Sequence, residues 1–492
     1  MTATSAERGI FSFLSLASST GGRIVAPLRR DSAIAAVASD SRKVGEGCLF
    51  VALPGERTDG HEFLSQAAEA GAAALLVSEA QAGQRAGELA ALAQRHGIGI
   101  VAVRDTLAGL QDLARFHMRG LPAMTRIGVT GSNGKTTTKE IIGSILSRAA
   151  STAMNEGNLN SEIGLPLACF AVAAAHRYAI FEMGMNRAGE MDVLVDIVRP
   201  DLALITNIGT AHVGMLGSLD AIAAEKRKIF AYFDGRQTGF LPEEERYREF
   251  LAKGVPGRFV SFGPKSTPGY GGSESMGLGG TLIHWEGFRI RFPLFGQHNL
   301  ANALGAISVA RELGVPNAEI RDGLEAVTPL FGRSQVINGP VTVIVDCYNA
   351  NPDSVERALD FSEALPWPGR KIAVLGGMRE LGEETGPAHA ALGRRLRGTG
   401  LDALFLFGEE MEHAWKAIGG SPVEARCAWL TDLGTLRRRL ADFLRTGDML
   451  LIKGSRGVEL ERLLPGIAIA SEAMRQLDSG SGNRGNKGDA SC

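Results

Sequence analysis

Between Ile127 and Glu140 the chain reads IGVTGSNGKTTTKE: an apolar run, a turn bounded by two glycines, and a lysine followed by hydroxyl side chains. In a turn of this kind successive backbone N–H groups converge on phosphate oxygens, and the N-terminus of the following helix adds partial positive charge. Gly131 and Gly134 permit the close approach. Lys135 would then sit by the β- and γ-phosphates of a nucleotide, and Thr136 would offer its hydroxyl to Mg²⁺. The spacing departs from G-x-x-x-x-G-K-[ST], because the position five before Gly134 is Val129, and the loop is the shorter G-x-x-G-K-T. Phosphate binding alone names no reaction.

Two further apolar runs end in polar side chains, YAIFE at Glu182 and LALITN at Asn207. A carboxylate placed beside the phosphates can hold Mg²⁺, a hard cation that prefers oxygen ligands. His212 follows the second run by a short loop; taken alone it is open to a structural as well as a functional reading. Lys226 falls in AIAAEKRKIF, a helical stretch in which Glu225, Lys226, Arg227 and Lys228 together read as a charged face, and composition gives no reason to choose among them.

These residues need a scaffold that brings strand ends together. The alternation of apolar strand, loop and helix around them is the signature of buried parallel strands, whose C-terminal edge is where ligands sit in an open α/β sheet. Upstream, GCLFVAL (47–53) and AALLVS (73–78) predict a small α/β domain over residues 1–122, ended by RGLPAM (119–124). A central P-loop-type parallel-sheet domain that binds ATP is expected over 123–332. Its Gly-rich portion from about 235 to 292 reads as a loop plus a hairpin. After GRSQVING (332–339) a third, Rossmann-like α/β series spans 333–476, with candidate strands VTVIVD, KIAVLG, ALFLFG and MLLIKG. Residues 477–492 contain no core-forming side chains and read as a disordered tail. The expected architecture is therefore α/β in three domains.

Composition narrows the partners. The 492 residues are 45% hydrophobic and 22% charged with a formal net charge of −2, and no block of like charge resembles a nucleic-acid arm, so anionic ligands must be met by local basic residues. Five scattered cysteines without C-x-x-C spacing argue against a disulfide framework and a zinc site, and fit a cytoplasmic location. GIFSFLSLASSTGG (9–22) imitates a signal peptide, but Glu7 lies beside Arg8 on its flank. No apolar run reaches the roughly 18 residues needed to span a bilayer, so no membrane span is expected.

Several segments together resemble one family, the ATP-dependent Mur ligases of peptidoglycan precursor synthesis. TGSNGKTTT matches that family's short phosphate loop, and FEMGMNRAGEM (181–191), ITNIGTAHVGMLGS (205–218), GQHNLANALGA (296–306) and LIKGSRG (451–457) match in order and spacing, from about residue 12 to 465. FSFLSLASSTGGRI resembles the family's first element, which competes with the signal-peptide reading. SDSRKVGEGCLFVALPGERTDGHEF (39–63) resembles the uridine-nucleotide-binding domain shared by members that add the third residue or the final dipeptide. VDCYNANPDS (345–354) and VLGGMRELGEETGPAH (374–389) resemble the dipeptide-adding branch, and the D-N-P-R-like motif of the third-residue branch is missing. The resemblance implies UDP-N-acetylmuramoyl-tripeptide and D-alanyl-D-alanine as substrates, ATP and two Mg²⁺ ions, and a monomer.

It also implies roles. Thr130, Gly131, Ser132, Asn133, Gly134, Lys135, Thr136 and Thr137 would form the nucleotide loop, with Thr136 holding one metal, and Glu182 and His212 the other. Lys226 aligns with a lysine that family members carry as a carbamate, an oxygen-bearing anion suited to a metal's surroundings. Arg333 would meet the γ-phosphate, Asp346 the ribose, and Asn299 and Asn302 the adenine side. Tyr348, Asn349 and Asn351 would surround the incoming dipeptide; Ser39, Ser41 and Arg42 belong to the uridine-nucleotide site, with Asp59, Gly60 and His61 near it. Two positions depart from the family pattern: Gly377 stands where an acidic residue is common, and Lys228 where Glu is common. Rival readings are a third-residue-adding or folylpolyglutamate-type ligase, a nucleotide-binding module that ligates nothing, and a P-loop kinase. The module would leave Glu182, His212 and Lys226 without a joint role, and the kinase gives no account of the C-terminal domain.

Overall fold

Strand Thr125–Thr130 runs between Tyr178–Glu182 and Leu202–Ile205, parallel to both. The computed structural model, which describes residues 9–28, 33–55 and 58–467, builds a six-stranded parallel sheet around it. The order across the sheet is Arg258–Phe262, Thr238–Pro242, Leu202–Ile205, Thr125–Thr130, Tyr178–Glu182, Thr152–Met154. Because the earliest strand lies inside and later ones are laid down to either side, the crevice at its C-terminal end is a topological switch point, the place where open α/β sheets bind ligands. Alternate residues of each strand face opposite layers. Ile127, Val129, Ile180 and Leu204 pack with Ile141, Ile142 and Ile145 of helix Lys135–Ala149 and with helix Gln297–Glu312. Phe181, Ala203 and Ile205 pack with Leu194, Val195 and Val198 of helix Glu190–Val198.

The hairpin expected within 235–292 is present as Thr281–Trp285 and Phe288–Phe292, but the rest of that stretch is not the expected loop. Thr238–Pro242 and Arg258–Phe262 are the outer strands of the central sheet, and Tyr270–Ser275 joins Thr281–Trp285 and Phe288–Phe292 in a three-stranded antiparallel sheet. Tyr270–Ser275 is an edge strand of glycines and polar residues, held by pairing with its neighbour rather than by its own propensity, and so carries no apolar alternation.

Two further sheets flank this centre. Toward the N-terminus, Ala36–Ala38, Cys48–Val51, Ala72–Ser78 and Gly99–Val103 are parallel, and Arg23–Ala26 adds an antiparallel edge. The signal-like segment is helix Phe13–Thr20, capped by Ser12, with Phe13, Leu16 and Ala17 buried. Toward the C-terminus, the order is Gln335–Ile337, Thr342–Asp346, Met449–Lys453, Lys371–Gly376, Ala403–Phe407, Cys427–Leu430, parallel except for the first strand. The expected tail, 477–492, lies outside the described residues. One apolar core is continuous from the N-terminal sheet through helix Thr106–Arg119 into the central sheet, whereas most of the C-terminal sheet's core residues form clusters of their own.

Candidate active site

The phosphate loop is tied down from below. Thr130, at the end of its strand, donates its hydroxyl to Met183 O (2.7 Å). Gly131 has φ 148°, and a Cβ there would lie 1.8 Å from Thr206 Oγ1, so only glycine fits. Ser132 N–H donates to Asn207 O (3.0 Å), Asn133 N–H to Asn207 Oδ1 (3.1 Å), and Asn207 Nδ2 donates back to Asn133 O (2.9 Å). The polar end of strand Leu202–Ile205 thus shapes the loop instead of facing the phosphates. Gly134, with φ 80°, caps helix Lys135–Ala149 beneath Asn302, whose Oδ1 a Cβ would approach to 2.6 Å.

Above the loop lies a cleft of about 550 Å³ between the central and C-terminal sheets. Ser132, Asn133, Gly134, Lys135, Thr136 and Thr137 form its floor; Glu182, His212, Asn299 and Asn302 come from the central unit, and Arg333, Asp346, Tyr348 and Asn349 from across it. The ammonium of Lys135 folds over the loop, donating to Gly131 O (2.9 Å) and Ser132 O (3.3 Å). Burial lowers its pKa, with Arg333 acting in the same direction and the Glu182 carboxylate opposing.

Glu182 pairs in register with Val129, which sets it beside the loop. Its backbone N–H donates to Asn155 Oδ1 (2.8 Å), and Oε1 accepts from Asn160 Nδ2 (2.6 Å), while Oε2 is buried without a partner. Lys226, wholly buried on helix Leu219–Arg227, likewise has no partner for Nζ. Burial drives its pKa well below the lysine range, Lys135 adds to the effect, and Glu225 opposes it. Leaving buried polar atoms unpaired is costly, so each of these two groups calls for a partner. Among the described residues no three His, Cys, Asp or Glu side chains converge as a ready metal cage. The unpaired Glu182 carboxylate oxygen and the buried Thr136 hydroxyl, both lining the cleft, are nonetheless oxygen donors of the kind a hard cation takes.

His212 sits at φ 65°, its Nδ1 3.0 Å from Glu380 Oε2 of the C-terminal unit. Asn351 Nδ2 donates to Asn133 Oδ1 (2.8 Å), bringing the YNANP segment onto the phosphate loop, and Asp353 Oδ2 accepts from Thr210 N–H (2.9 Å) and Oγ1 (3.0 Å). Arg333 lies over the Tyr348 ring at 3.9 Å. Asp346 accepts from Ser334 N–H (3.1 Å) and pairs with the buried Lys453 (2.8 Å), which also donates to Asn349 O (2.9 Å). Asn155, Asn160, Asp353, Glu380 and Lys453 were not singled out from the sequence. The signal for Asn155 and Asn160 is tertiary; Lys453, Asp353 and Glu380 lie in the segments LIKGSRG, VDCYNANPDS and VLGGMRELGEETGPAH.

The N-terminal candidates lie apart: Ser39, Ser41, Arg42, Asp59, Gly60 and His61 do not line this cleft. Arg42 is 81% exposed and forked onto Asp40, available to an anionic ligand. His61 is turned inward, with Nδ1 at 2.7 Å from Asp59 and Nε2 accepting from Ser78 N–H (3.0 Å), so it supports the loop instead of presenting a free donor.

The two departures have local accounts. A Cβ at Gly377 would meet Glu410 Oε2 at 2.8 Å, so a carboxylate from the neighbouring strand end occupies that space. Lys228 pairs with Glu225 (2.7 Å) and Asp192 (2.6 Å); buried Glu225 in turn accepts from Gly189 and Met191 N–H at the start of helix Glu190–Val198. The cation offsets a buried carboxylate beside Lys226.

Profiles of the Mur ligase family catalytic domain, the Mur ligase middle domain and the Mur ligase glutamate ligase domain match residues 33–117, 129–310 and 332–456 in turn. A Treponema pallidum protein named UDP-N-acetylmuramoyl-tripeptide--D-alanyl-D-alanine ligase is 41% identical over 93% of this chain and 98% of its own. The chain belongs to the Mur ligase family. Among solved structures, MurF from Acinetobacter baumannii superposes on this Mur ligase with a TM-score of 0.80 at 29% identity, covering 92% of this chain and 98% of that one. MurF ligase from Thermotoga maritima, solved in complex with ADP, gives 0.74 at 27% identity, covering 89% and 98%. It is therefore an ATP-dependent ligase, with the parallel-sheet α/β architecture of that family.

Proposed function

We propose that this Mur ligase joins D-alanyl-D-alanine to UDP-N-acetylmuramoyl-tripeptide, converting ATP to ADP and phosphate. The observation that carries the reading is end-to-end likeness to a relative named for that reaction, and the cleft supplies parts that fit it. A carboxylate is a poor acyl donor. Its oxygen attacks the γ-phosphorus and ADP leaves; the dipeptide amine then attacks the acyl phosphate carbonyl, phosphate departs, the amine loses a proton and the amide remains. Positioning and charge neutralisation supply most of the first step.

In this proposal residues 1–122 hold the uridine nucleotide through Ser39, Ser41 and Arg42, 123–332 hold ATP, and 333–476 bring the dipeptide to Tyr348, Asn349 and Asn351. The loop N–H groups and Lys135 cradle the phosphates, Arg333 reaches across to the γ-phosphate, and Asp346, kept in place by Lys453, receives the ribose. Thr136, Glu182, His212 and a carbamylated Lys226 would hold Mg²⁺, which when bound draws phosphate and carboxylate oxygens together and offsets their charge. Cys48, Cys169, Cys347 and Cys427 are free, which suits a reducing cytoplasm, and among the described residues no helix is long and apolar enough to cross a membrane.

Phosphate release measured with purified protein should require both the nucleotide-linked tripeptide and D-alanyl-D-alanine. Equal turnover with a single L- or meso-amino acid in place of the dipeptide would overturn the assignment.

A further inference from the structure

His212 and Glu380 belong to different units, yet their side chains meet. Glu380 Oε2 lies 3.0 Å from His212 Nδ1, and both residues line the cleft. Each holds a left-handed backbone, φ 65° for His212 and 67° for Glu380, which L-residues rarely adopt unless their surroundings impose it. The surroundings here do so. Met378 N–H donates to the buried His389 (3.0 Å) and Arg379 N–H to Ser455 Oγ (2.9 Å), fixing the loop that carries Glu380 to the C-terminal sheet edge. Opposite, the backbone of Gly214 lies so close to Leu381 and Gly382 that a Cβ at Gly214 would stand 2.3 Å from Leu381 C. Two glycines thus let the loops meet backbone to backbone.

We propose that Glu380 is a positioning residue, delivered by the C-terminal unit, that sets the ring of His212 for its place beside the phosphates. This rests on the reading of His212 as a ligand in the ATP site. A carboxylate that accepts from Nδ1–H fixes the tautomer that carries its proton on Nδ1 and leaves the Nε2 lone pair free for a ligand. In the structure the two atoms stand at hydrogen-bond distance without the alignment of a bond, so a small ring rotation completes it. Coupling follows: His212 is set only when the loop at 378–382 has docked, so the site is complete only in the closed enzyme.

The test uses the full chain. ¹⁵N spectra of the metal-free protein, with His212 assigned among nine histidines by its loss in H212A, report the tautomer directly. Wild type should show the Nδ1–H form, and E380A a mixture. In E380A kcat should fall about 10- to 100-fold, the range for loss of a group that orients a metal-bound histidine, while KM for ATP stays within about twofold because Glu380 is not placed on the nucleotide. E380Q, whose amide oxygen accepts the same hydrogen, should recover the tautomer and most of kcat. Glu380 is 52% exposed; should E380A nonetheless fail to fold, E380D, with the charge kept but the arm shortened, carries the same expectation. Wild-type kcat and an unchanged tautomer in E380A or E380D would overturn the proposal. Full activity in H212A would instead overturn the underlying reading of His212.

Discussion

Lys226 carries its amine to a place with neither solvent nor a hydrogen-bond partner. Keeping an ammonium there would cost several kcal/mol, and burial, reinforced by Lys135, pushes its pKa well below the lysine range. The neutral amine that results has a free lone pair, which can attack CO₂; one C–N bond forms, one proton leaves, and the product is a carbamate anion. That anion turns an unpaired buried nitrogen into an oxygen donor. Protein exchanged into ¹³C-bicarbonate should show a carbamate carbon resonance that is absent from K226A, and K226A should lose at least about 100-fold in kcat, comparable to loss of one preorganised electrostatic group. A K226A enzyme at wild-type rate would exclude a role for the carbamate in the reaction. The sequence placed this lysine in a run of four charged residues and could not choose; among the three cations burial chooses, since Arg227 and Lys228 are held at the surface side, Lys228 by Asp192 and Glu225.

Helix Glu190–Val198 is fixed at both ends, by Glu225 at its start and by Asp196 near its end. Burial alone would raise the Asp196 carboxyl, but Arg199, Tyr232 and Arg115 outweigh it and hold the pKa at about 2, against an ordinary 3.8. Arg115 belongs to helix Thr106–Arg119, so this contact (2.6 Å) ties the N-terminal helix to the central unit. The folded value is the lower one, so the unfolded chain binds more protons between the two; the stabilisation is complete above pH 4 and is lost as pH falls toward 2. Its full size by linkage is about 2 kcal/mol, reduced to about 1–2 because the carboxylate keeps some water. In urea unfolding, D196N should be weaker than wild type by that amount at pH 7, the gap closing below pH 4; a gap that stays constant into acid would show that charge is not its cause. Elements of this kind differ in how far sequence exposes them. YAIFE and VTVIVD are legible because buried parallel strands are apolar throughout. YGGSES is not, because its strand conformation comes from its partner, and Asn155 and Asn160 are not, because their task is set by Glu182 lying 27 and 22 residues on.

Across the molecule the two joints differ in kind. The N-terminal and central units share one apolar core, in which Leu110, Leu113, Ala114 and Met118 pack with Phe170, Leu194 and Val195; burying even one such side chain is worth about 1.5–3 kcal/mol, so parting these units would expose far more than ligand binding returns. The C-terminal unit meets the centre through the stacked rings of Phe295 and Phe361, 4.2 Å between centroids, and through polar contacts at the cleft, Asn133 with Asn351 and Thr210 with Asp353, each of these hydrogen-bonded contacts worth about 0.5–1.5 kcal/mol when water is the alternative. The connection between them turns at Gly332, φ 71°, and Ser334, φ 53°. Relative motion should therefore concentrate at the second joint. Fluorophore pairs at the exposed positions Glu69 and Arg236, and at Arg236 and Lys416, separate the two cases. Addition of a nonhydrolysable ATP analogue with the tripeptide substrate should shift transfer efficiency in the second pair and leave the first unchanged, and D353A should weaken the shift by removing the bonds to Thr210 while the core between the first two units holds. A change of equal size in the first pair would mean that the shared core parts on binding, and the mechanical division drawn here would be wrong.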